Sequence, residues 1–293
     1  MGERSHAAGV ILVMGAGGTV GGEVVRELAR AGARFRAGYS RGERAAEARV
    51  AGIDAVVADY DRPETLVGAL HGVDRLLLLG PSDARQAPRE LGAVAAARTA
   101  GVAHVVKLSV WGAAAEAFGF ARAHRQVERE LEAGGPAWTF LRPNGYMQNV
   151  IRFMAASIRT RSTIEQPAGE AAISHVDARD VAAAAVAVLT GRGHGGRAYA
   201  LSGPQALTYE ELAREIGASL GRPIAYRRQT DAEARAALRA AGLTPWIVEA
   251  TLQLARYCRD GHADRVTPDI HELTGREPLS FRSFLREYAY ELR

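Results

Sequence analysis

Three glycines at a spacing of three residues are the first feature of the chain that could do chemistry. Gly15, Gly18 and Gly21 follow the first apolar run and precede a helical pattern. In such a loop the first glycine allows a sharp turn, the second lets the backbone approach a pyrophosphate, and the third lets the helix pack on the strand. Free N–H groups at the helix start, around Thr19 and Val20, then face the phosphates. The arrangement predicts a dinucleotide site; a glycine turn that merely joins strand to helix is the alternative.

The residues after the second apolar run indicate which dinucleotide fits. NAD enzymes usually carry an acid there for the ribose 2′-hydroxyl, whereas arginine and small polar groups bind the 2′-phosphate of NADP. Ser40 and Arg41 occupy this position, Arg44 follows a turn later, and the only acid, Glu43, lies beyond it. The pattern favours NADP(H) as the cofactor. The alternative is that these arginines belong to a solvated surface.

Short apolar runs alternate with helical patterns through the first half of the chain, which is typical of parallel strand-helix-strand units. Helices are predicted between the runs, for example where Val20, Val24 and Leu28 recur at helical spacing before Gly32, and over 87–100. Strands buried on both faces favour an α/β fold with a Rossmann-type doubly wound parallel sheet. The predicted strands are 10–14, 35–39, 55–58, 75–79, 105–108 and 138–141.

The pattern changes after Pro143 and becomes mostly helical. We predict a dinucleotide-binding domain over 1–145, completed around 172–202, and a smaller helical substrate lobe over 146–171 and 203–293. The segments predicted in this part are a helix 146–160, a strand 172–175, a helix 177–189, a strand 198–202, a helix 208–220, and further elements at 224–228, 231–241 and 244–257.

The composition is that of an ordinary globular protein, with 293 residues, 47% of them hydrophobic and 24% charged. A net charge of +4 is too small to indicate nucleic-acid binding. The single cysteine, Cys258, excludes an internal disulfide and fits a reducing cytoplasm. No apolar run approaches the ~20 residues of a membrane helix, and the first run is too short for a signal peptide. The histidines lack metal-ligand spacing, and no Gly-x-Ser-x-Gly motif offers a hydrolase nucleophile.

Motifs spread along nearly the whole chain carry a family resemblance. They are the glycine loop, 58–61 with 63–66, 79–81, 106–109, 141–144, 147–149, 176–182, 201–204 with 207–208, and 273–278. With these motifs the chain resembles the NmrA-like group of atypical short-chain dehydrogenases/reductases, which includes NADPH-dependent quinone reductases and triphenylmethane reductases. The resemblance implies a cofactor site with Asp59 and Tyr60 at the adenine, Leu79, Gly80 and Pro81 along its middle, and Pro143 and Asn144 at the nicotinamide.

The proton-donating pair of that superfamily is missing. Standard members carry Tyr and Lys four residues apart on one helix face, where the phenol donates the proton and the ammonium lowers its pKa. With Glu128 as the register mark, Phe120 falls on the Tyr position and His124 on the Lys position. Phe120 cannot donate a proton, so reduction of simple ketones is not expected. Quinones and other conjugated acceptors need less help, because the charge they gain is delocalised.

Three polar residues are candidates for the remaining chemistry. His124 is the candidate proton donor or hydrogen-bond anchor, with a solvent-facing helix histidine as the alternative. Ser109, at the end of the fifth strand, either hydrogen-bonds a substrate oxygen or is simply a polar strand end. Lys107 lies two residues earlier on the same face, and it either contacts the cofactor or forms an ion pair beneath the site.

Aromatic residues and one methionine are candidates for binding a flat apolar substrate, although such residues are more often core. They are Trp111, Phe120, Tyr146, Met147 and Trp246. We therefore predict an NADPH-dependent reductase of quinones or related conjugated aromatic compounds, working without metal or flavin as a monomer or homodimer. Two alternatives stay open: a non-catalytic NADP-binding sensor or accessory protein, and an atypical reductase of aromatic secondary metabolism.

Overall fold

The computed structural model describes residues 9–293, which group into two compact units. The first unit contains the described residues up to 109, together with 124–141 and 182–199. The second contains 110–123, 142–181 and 200–293. Each unit is thus built from segments that are far apart in sequence. The domain boundary at 145 that the sequence predicts stays a prediction.

Strands and helices alternate along the chain. The strands are β1 (Val10–Val13), β2 (Phe35–Tyr39), β3 (Ala55–Val57), β4 (Val73–Leu78), β5 (His104–Leu108), β6 (Ala137–Pro143), β7 (Thr163–Gln166), β8 (Ala172–Ile173), β9 (Arg197–Leu201), β10 (Leu207–Thr208) and β11 (Ala225–Arg228). The helices are α1 (Thr19–Arg30), α2 (Gly42–Val50), α3 (Pro63–Leu70), α4 (Gln86–Thr99), α5 (Gly119–Glu132), α6 (Ala155–Arg161), α7 (Ala178–Thr190), α8 (Tyr209–Leu220), α9 (Asp231–Ala240), α10 (Pro245–Arg259), α11 (Asp269–Thr274) and α12 (Phe281–Tyr288).

The main sheet has seven strands in the order β3-β2-β1-β4-β5-β6-β9. The pairs from β3 through to β6 are parallel. This order reverses direction between β1 and β4, the point at which open α/β sheets bind their ligands beyond the carboxyl ends of the strands. The Rossmann-type α/β fold predicted from the apolar runs is confirmed.

The first crossover helix, α1, shows why helices of this sheet could be predicted from the local sequence pattern. Val20, Val24 and Leu28 are all buried and form one face of α1. The helix ends at Arg30, and Gly32 follows with a φ of 62°, a conformation that glycine adopts without strain. Burial of this face holds the helix start, and hence the glycine loop, in place at the end of β1.

The second unit contains two small sheets and several helices. Strand β10 pairs antiparallel with β8, and β11 pairs parallel with β7. Helix α8 begins at Tyr209, and the predicted start, Thr208, is its N-cap. The Thr208 hydroxyl accepts a hydrogen bond from the backbone N–H of Glu211 in a capping box. The core of this unit is an apolar cluster that includes Met147, Ile158, Leu212 and Phe284.

A predicted helix of the second unit differs from the structure, and a short strand there was not predicted. The helix predicted over 146–160 begins only at Val150, with a π-helical turn to Met154 that precedes α6. Strand β7 was not predicted, because four residues of which only Ile164 is buried are too short a pattern to separate from a loop. Among the described residues, no helix is long and apolar enough to cross a membrane.

Candidate functional site

The glycine loop of the first unit has a backbone that side chains would block. Gly15 has a φ of 60°, in the left-handed region. A side chain on Gly21 would collide with the Gly15 carbonyl, so the third glycine is required for the close approach of helix and loop. Gly18 is exposed, and a Cβ there would lie 3.3 Å from the Gly15 oxygen. The turn at Gly15 and the close packing at Gly21 match the roles that the spacing predicts, and the approach of Gly18 to a pyrophosphate stays a prediction.

The N-terminus of α1 is open to an anion. Gly18 is its N-cap, no side chain caps the first turn, and the first turn contains no acid. The N–H groups of Thr19 and Val20 are therefore available to a ligand, whereas the side chain of Val20 is buried. An uncapped twelve-residue helix behind an exposed glycine fits a dinucleotide pyrophosphate.

The end of β2 is polar and basic. Ser40 and Arg41 are exposed, and the Arg41 side chain has no ion-pair partner within residues 9–293. Arg44 instead pairs with Glu47 at 2.9 Å on α2. The structure adds Arg62, which sequence reasoning missed: its Nη2 atom lies 3.3 Å from the Ser40 carbonyl oxygen. The adjacency of β2 and β3 in a parallel sheet was the signal that could have found it.

The segment 79–81 is linked to the residues that follow β3. The Tyr60 hydroxyl donates to the Leu79 carbonyl at 2.8 Å, and burial together with nearby Glu90 raises the pKa of this phenol well above its usual value. Gly80 packs on Glu90, since a Cβ at Gly80 would lie 3.0 Å from a carboxylate oxygen of that residue. Pro81 is exposed. The contacts fix the backbone of this segment at the carboxyl edge of the sheet.

A buried polar cluster of four residues lies below this segment. Lys107 and Glu90 are fully buried, with 3.0 Å between the Nζ atom and the carboxylate. Lys107 also lies 2.9 Å from Nδ1 of His124, and the amide nitrogen of Gln86 lies 3.0 Å from Nε2 of the same ring. Burial lowers the pKa of Lys107 and raises that of Glu90, because desolvation disfavours both charges. The ion pair weighed for Lys107 is present, and its cofactor contact stays a prediction.

His124 does not face solvent, because 7% of its surface is exposed. Burial and the Lys107 ammonium hold its pKa well below the usual value, so the ring is neutral. When the Lys107 ammonium donates a hydrogen bond to Nδ1, the single proton of the neutral ring lies on Nε2. The Gln86 side-chain amide, flipped by 180°, then accepts a hydrogen bond from Nε2–H through its Oε1 atom. That orientation gives Oε1 of Gln86 a partner and turns the amide nitrogen away from Glu90. The role predicted for His124 in proton donation or anchoring stays a prediction.

Ser109 is buried at the end of β5 and is already engaged. Its hydroxyl donates to Glu128 at 2.7 Å, and Glu128 also accepts from Arg125 at 3.2 Å. Glu128, the register mark of the sequence comparison, is thus a buried anchor of α5. The Ser109 contact with substrate that the sequence predicts stays a prediction.

In the second unit, Trp111 and Asn144 are held by backbone contacts. The Trp111 indole donates to the His262 carbonyl at 2.7 Å, and its backbone N–H donates to the Pro143 carbonyl at 2.8 Å. The Asn144 amide nitrogen lies 2.8 Å from both Ser174 Oγ and the Ala263 carbonyl oxygen. Asn144 and Pro143 are buried, which makes them a rigid corner of this unit.

The remaining substrate candidates lie in three different surroundings. Phe120 and Trp246 meet edge to face with ring centroids 5.2 Å apart. Met147 is 2% exposed and belongs to the apolar core, in line with the core alternative for that residue. Tyr146 is half-buried and joins Val176 through a backbone bridge. Substrate contact by these side chains stays a prediction.

His175 is a buried residue of the second unit that sequence reasoning did not single out. Its Nδ1 lies 3.1 Å from the Ile173 carbonyl oxygen, and its ring packs against Gly145 and, edge on, against Tyr209. Burial lowers its pKa to about 4. The residue directly precedes the motif over 176–182, which was the one available signal.

Comparison with known families identifies the class of protein. Residues 7–264 match the model of the NmrA-like family. The match covers well over half of the chain, and the chain therefore belongs to the NmrA-like family. The resemblance carried by the sequence motifs is confirmed.

Individual relatives cover almost the full length. The chain is 41% identical over 283 residues to (4-alkanoyl-5-oxo-2,5-dihydrofuran-3-yl)methyl phosphate reductase of Streptomyces griseus, with 96% of this chain and 98% of that protein covered. It is 34% identical over 281 residues to NAD(P)H azoreductase of Xenophilus azovorans, with the same coverage of 96% and 98%. The NADPH-dependent quinone oxidoreductase of Escherichia coli, solved with NADPH, is similar with a TM-score of 0.86 and 26% identity, covering 95% of this chain and 99% of that one.

Proposed function

We propose that this protein is an NADPH-dependent reductase of quinones or related conjugated aromatic compounds. The observation that carries the proposal is the uncapped N-terminus of α1 behind Gly15 and Gly18, on the same sheet edge as exposed Ser40 and Arg41. Relatives named as an azoreductase and as an NADPH-dependent quinone oxidoreductase support both the cofactor and the reaction class.

The chain's own residues bind and orient in this proposal. Backbone N–H groups at the start of α1 hold the pyrophosphate, and Ser40 and Arg41 bind the 2′-phosphate. NADPH supplies a hydride when bound. Phe120 provides no proton, so the acceptor must delocalise the negative charge that it gains. Because the His124 ring is buried and hydrogen-bonded, the anchor role suits it better than direct proton donation.

A second candidate substrate class follows from the relative at 41% identity. The name of that enzyme describes an unsaturated lactone that bears an acyl group and a phosphate, and such a lactone is also a conjugated acceptor. Arg265 of the second unit supplies a cation, since its guanidinium lies over the Trp111 ring at 5.3 Å. A phosphate-bearing unsaturated lactone therefore belongs in the substrate panel.

Stopped-flow measurement of NADPH absorbance tests the proposal. The panel contains benzoquinones, naphthoquinones, an azo dye and an acylated unsaturated lactone phosphate, and calorimetry compares NADPH with NADH. We expect oxidation of NADPH by at least one quinone, and tighter binding of NADPH than of NADH. Tight NADPH binding without oxidation by any acceptor would instead support the non-catalytic sensor. A protein that binds neither cofactor would overturn both readings.

The cytoplasmic location is likewise a proposal. It is supported by the one cysteine, Cys258, which is buried and unpaired with another cysteine. The oligomeric state, monomer or homodimer, and the absence of a nucleic-acid partner stay predictions. Within residues 9–293, no group of three or more His, Cys, Asp or Glu residues is placed to hold a metal ion.

A further inference from the structure

Arg62 links the segments that follow β2 and β3, two neighbouring strands, at the carboxyl edge of the main sheet. It directly precedes α3, and its side chain is 52% exposed. The Nε atom lies 3.0 Å from a carboxylate oxygen of Asp59, and Nη2 lies 3.3 Å from the carbonyl oxygen of Ser40. One side chain thus contacts both residues that follow β2 and β3.

The sheet register explains this position. β2 and β3 are parallel neighbours, with Tyr39 opposite Val57, so the residues after each strand leave the sheet at the same edge. Ser40 therefore comes close to the segment 59–62, although the two are about twenty residues apart in sequence. The parallel pairing brings a third basic or polar group to the place where the 2′-phosphate is predicted to bind.

The guanidinium of Arg62 keeps donors for a ligand. Arginine carries five N–H groups, and the Asp59 and Ser40 contacts use one on Nε and one on Nη2. Within residues 9–293 the guanidinium makes no other hydrogen bond or ion pair, so its remaining N–H groups can form the paired hydrogen bonds that phosphate oxygens accept. Because the side chain is held at two points, less conformational freedom is lost when it binds an anion.

Arg62 also forms an ion pair with Asp59. The Asp59 carboxylate accepts from the Asp61 backbone N–H at 3.0 Å and from Arg62, and an unpaired carboxylate at this edge would repel a phosphate. The ion pair offsets part of that repulsion. Loss of Arg62 would therefore remove a cation and expose an acid at the same place.

We propose that Arg62 is a cofactor-binding residue that, with Ser40 and Arg41, recognises the 2′-phosphate of NADPH and sets the preference over NADH. The inference rests on the proposed function, because it requires that the chain binds NADPH. It assigns the selectivity to residues from two strand ends rather than to the end of β2 alone.

Titration calorimetry of NADPH and NADH with Arg62→Ala, Arg62→Gln, Arg41→Ala and the unmodified protein tests the proposal. We expect Arg62→Ala to weaken NADPH binding about ten-fold or more, since charge-assisted contacts to phosphate are lost, and to leave NADH binding within about two-fold. Arg62→Gln keeps an amide donor without the charge and should lose most of the same preference. Arg30→Ala is the control, because Arg30 is also exposed and ion-paired but lies in the last turn of α1.

The outcomes separate the two proposals. Equal weakening of NADPH and NADH by Arg62→Ala would overturn the 2′-phosphate role, as would an unchanged NADPH affinity. If the unmodified protein bound no NADPH, the proposed function itself would fail. Thermal unfolding of each variant without ligand shows whether a lost affinity comes from the site or from a damaged fold.

Discussion

The Nζ atom of Lys107 lies 2.9 Å from Nδ1 of His124, inside the first unit. His124 occupies the helix position at which standard short-chain reductases carry their lysine, and Lys107 is the single lysine of the chain. Strand β5 therefore brings an ammonium group to the residue that replaces the helix lysine. Glu90 balances its charge from α4. Because both charges are desolvated, such a buried ion pair is weak evidence for stability.

Removing one member of this pair should cost more than removing both. Lys107→Met leaves Glu90 buried without its cation, and we expect a loss of about 3 kcal/mol or more of unfolding free energy. The double variant Lys107→Met, Glu90→Met should recover much of that loss. Urea unfolding of the single and double variants measures the difference.

The double variant also separates structure from cofactor binding. If it folds but binds NADPH less tightly, Lys107 acts on the cofactor site; if it folds and binds normally, the pair is structural. A double variant as unstable as Lys107→Met would contradict the ion-pair account.

Substitutions in the glycine loop should separate ligand binding from folding. Gly18 is exposed, so Gly18→Val should fold normally and lose NADPH binding, because its branched side chain covers the uncapped N–H groups. Gly21→Ala should instead lower stability by about 1–3 kcal/mol, because it collides with the Gly15 carbonyl. Circular dichroism and calorimetry measure both effects.

Gly22→Ala is the control for the loop, since a Cβ there would lie at an ordinary 3.5 Å from the Ala16 carbonyl oxygen. A folded Gly18→Val variant with unchanged NADPH affinity would place the phosphate site elsewhere.

Phe120 sets the expected reaction type. The unmodified protein should reduce quinones. It should turn over simple aliphatic ketones very poorly, because the localised alkoxide that forms from a ketone has no phenol at position 120 to protonate it. Phe120→Tyr should not create ketone reduction, because the neutral ring of His124 stands at the lysine position. His124→Ala should slow quinone reduction by no more than about 100-fold, the low end of the effect of losing a general acid. Initial rates on a matched ketone and quinone at pH 6 to 8 test this, and efficient ketone turnover by the unmodified protein would disprove it.

Buried His175 should make stability fall in acid. Its folded pKa of about 4 lies below the unfolded value of about 6.5, so the unfolded chain takes up a proton first as the pH falls between these values. We expect a loss of about 1 kcal/mol per pH unit near pH 5 from this residue. Thermal or urea unfolding from pH 7 to 4.5 should show a smaller loss in His175→Gln, which keeps a donor for the Ile173 carbonyl. His104, whose pKa is also about 4, is present in both proteins and cancels in the comparison. Identical pH profiles would count against a neutral buried His175.

Features that depend on neighbouring residues were predictable from the sequence. The six strands of the first half follow from apolar runs that alternate with helical patterns, and the glycine loop follows from spacing at a strand-helix junction. The helix start at Thr208 was predicted from the sequence, and the capping box found there involves a residue only three positions away. Hydrophobic periodicity and turn geometry depend on residues that are close in sequence, so they can be recognised in a single sequence.

Contacts between distant segments were decided only by the tertiary structure. The Arg62 contact with Ser40 depends on the pairing of β2 with β3, and the Lys107 cluster depends on β5 lying beside α4 and α5. The burial of His124 was also decided by the tertiary structure, because helical spacing alone was equally compatible with a ring that faces solvent. The partners of a side chain and its desolvation depend on which faces of the helices and strands pack together. A single sequence shows which residues share a face but not which element packs against that face.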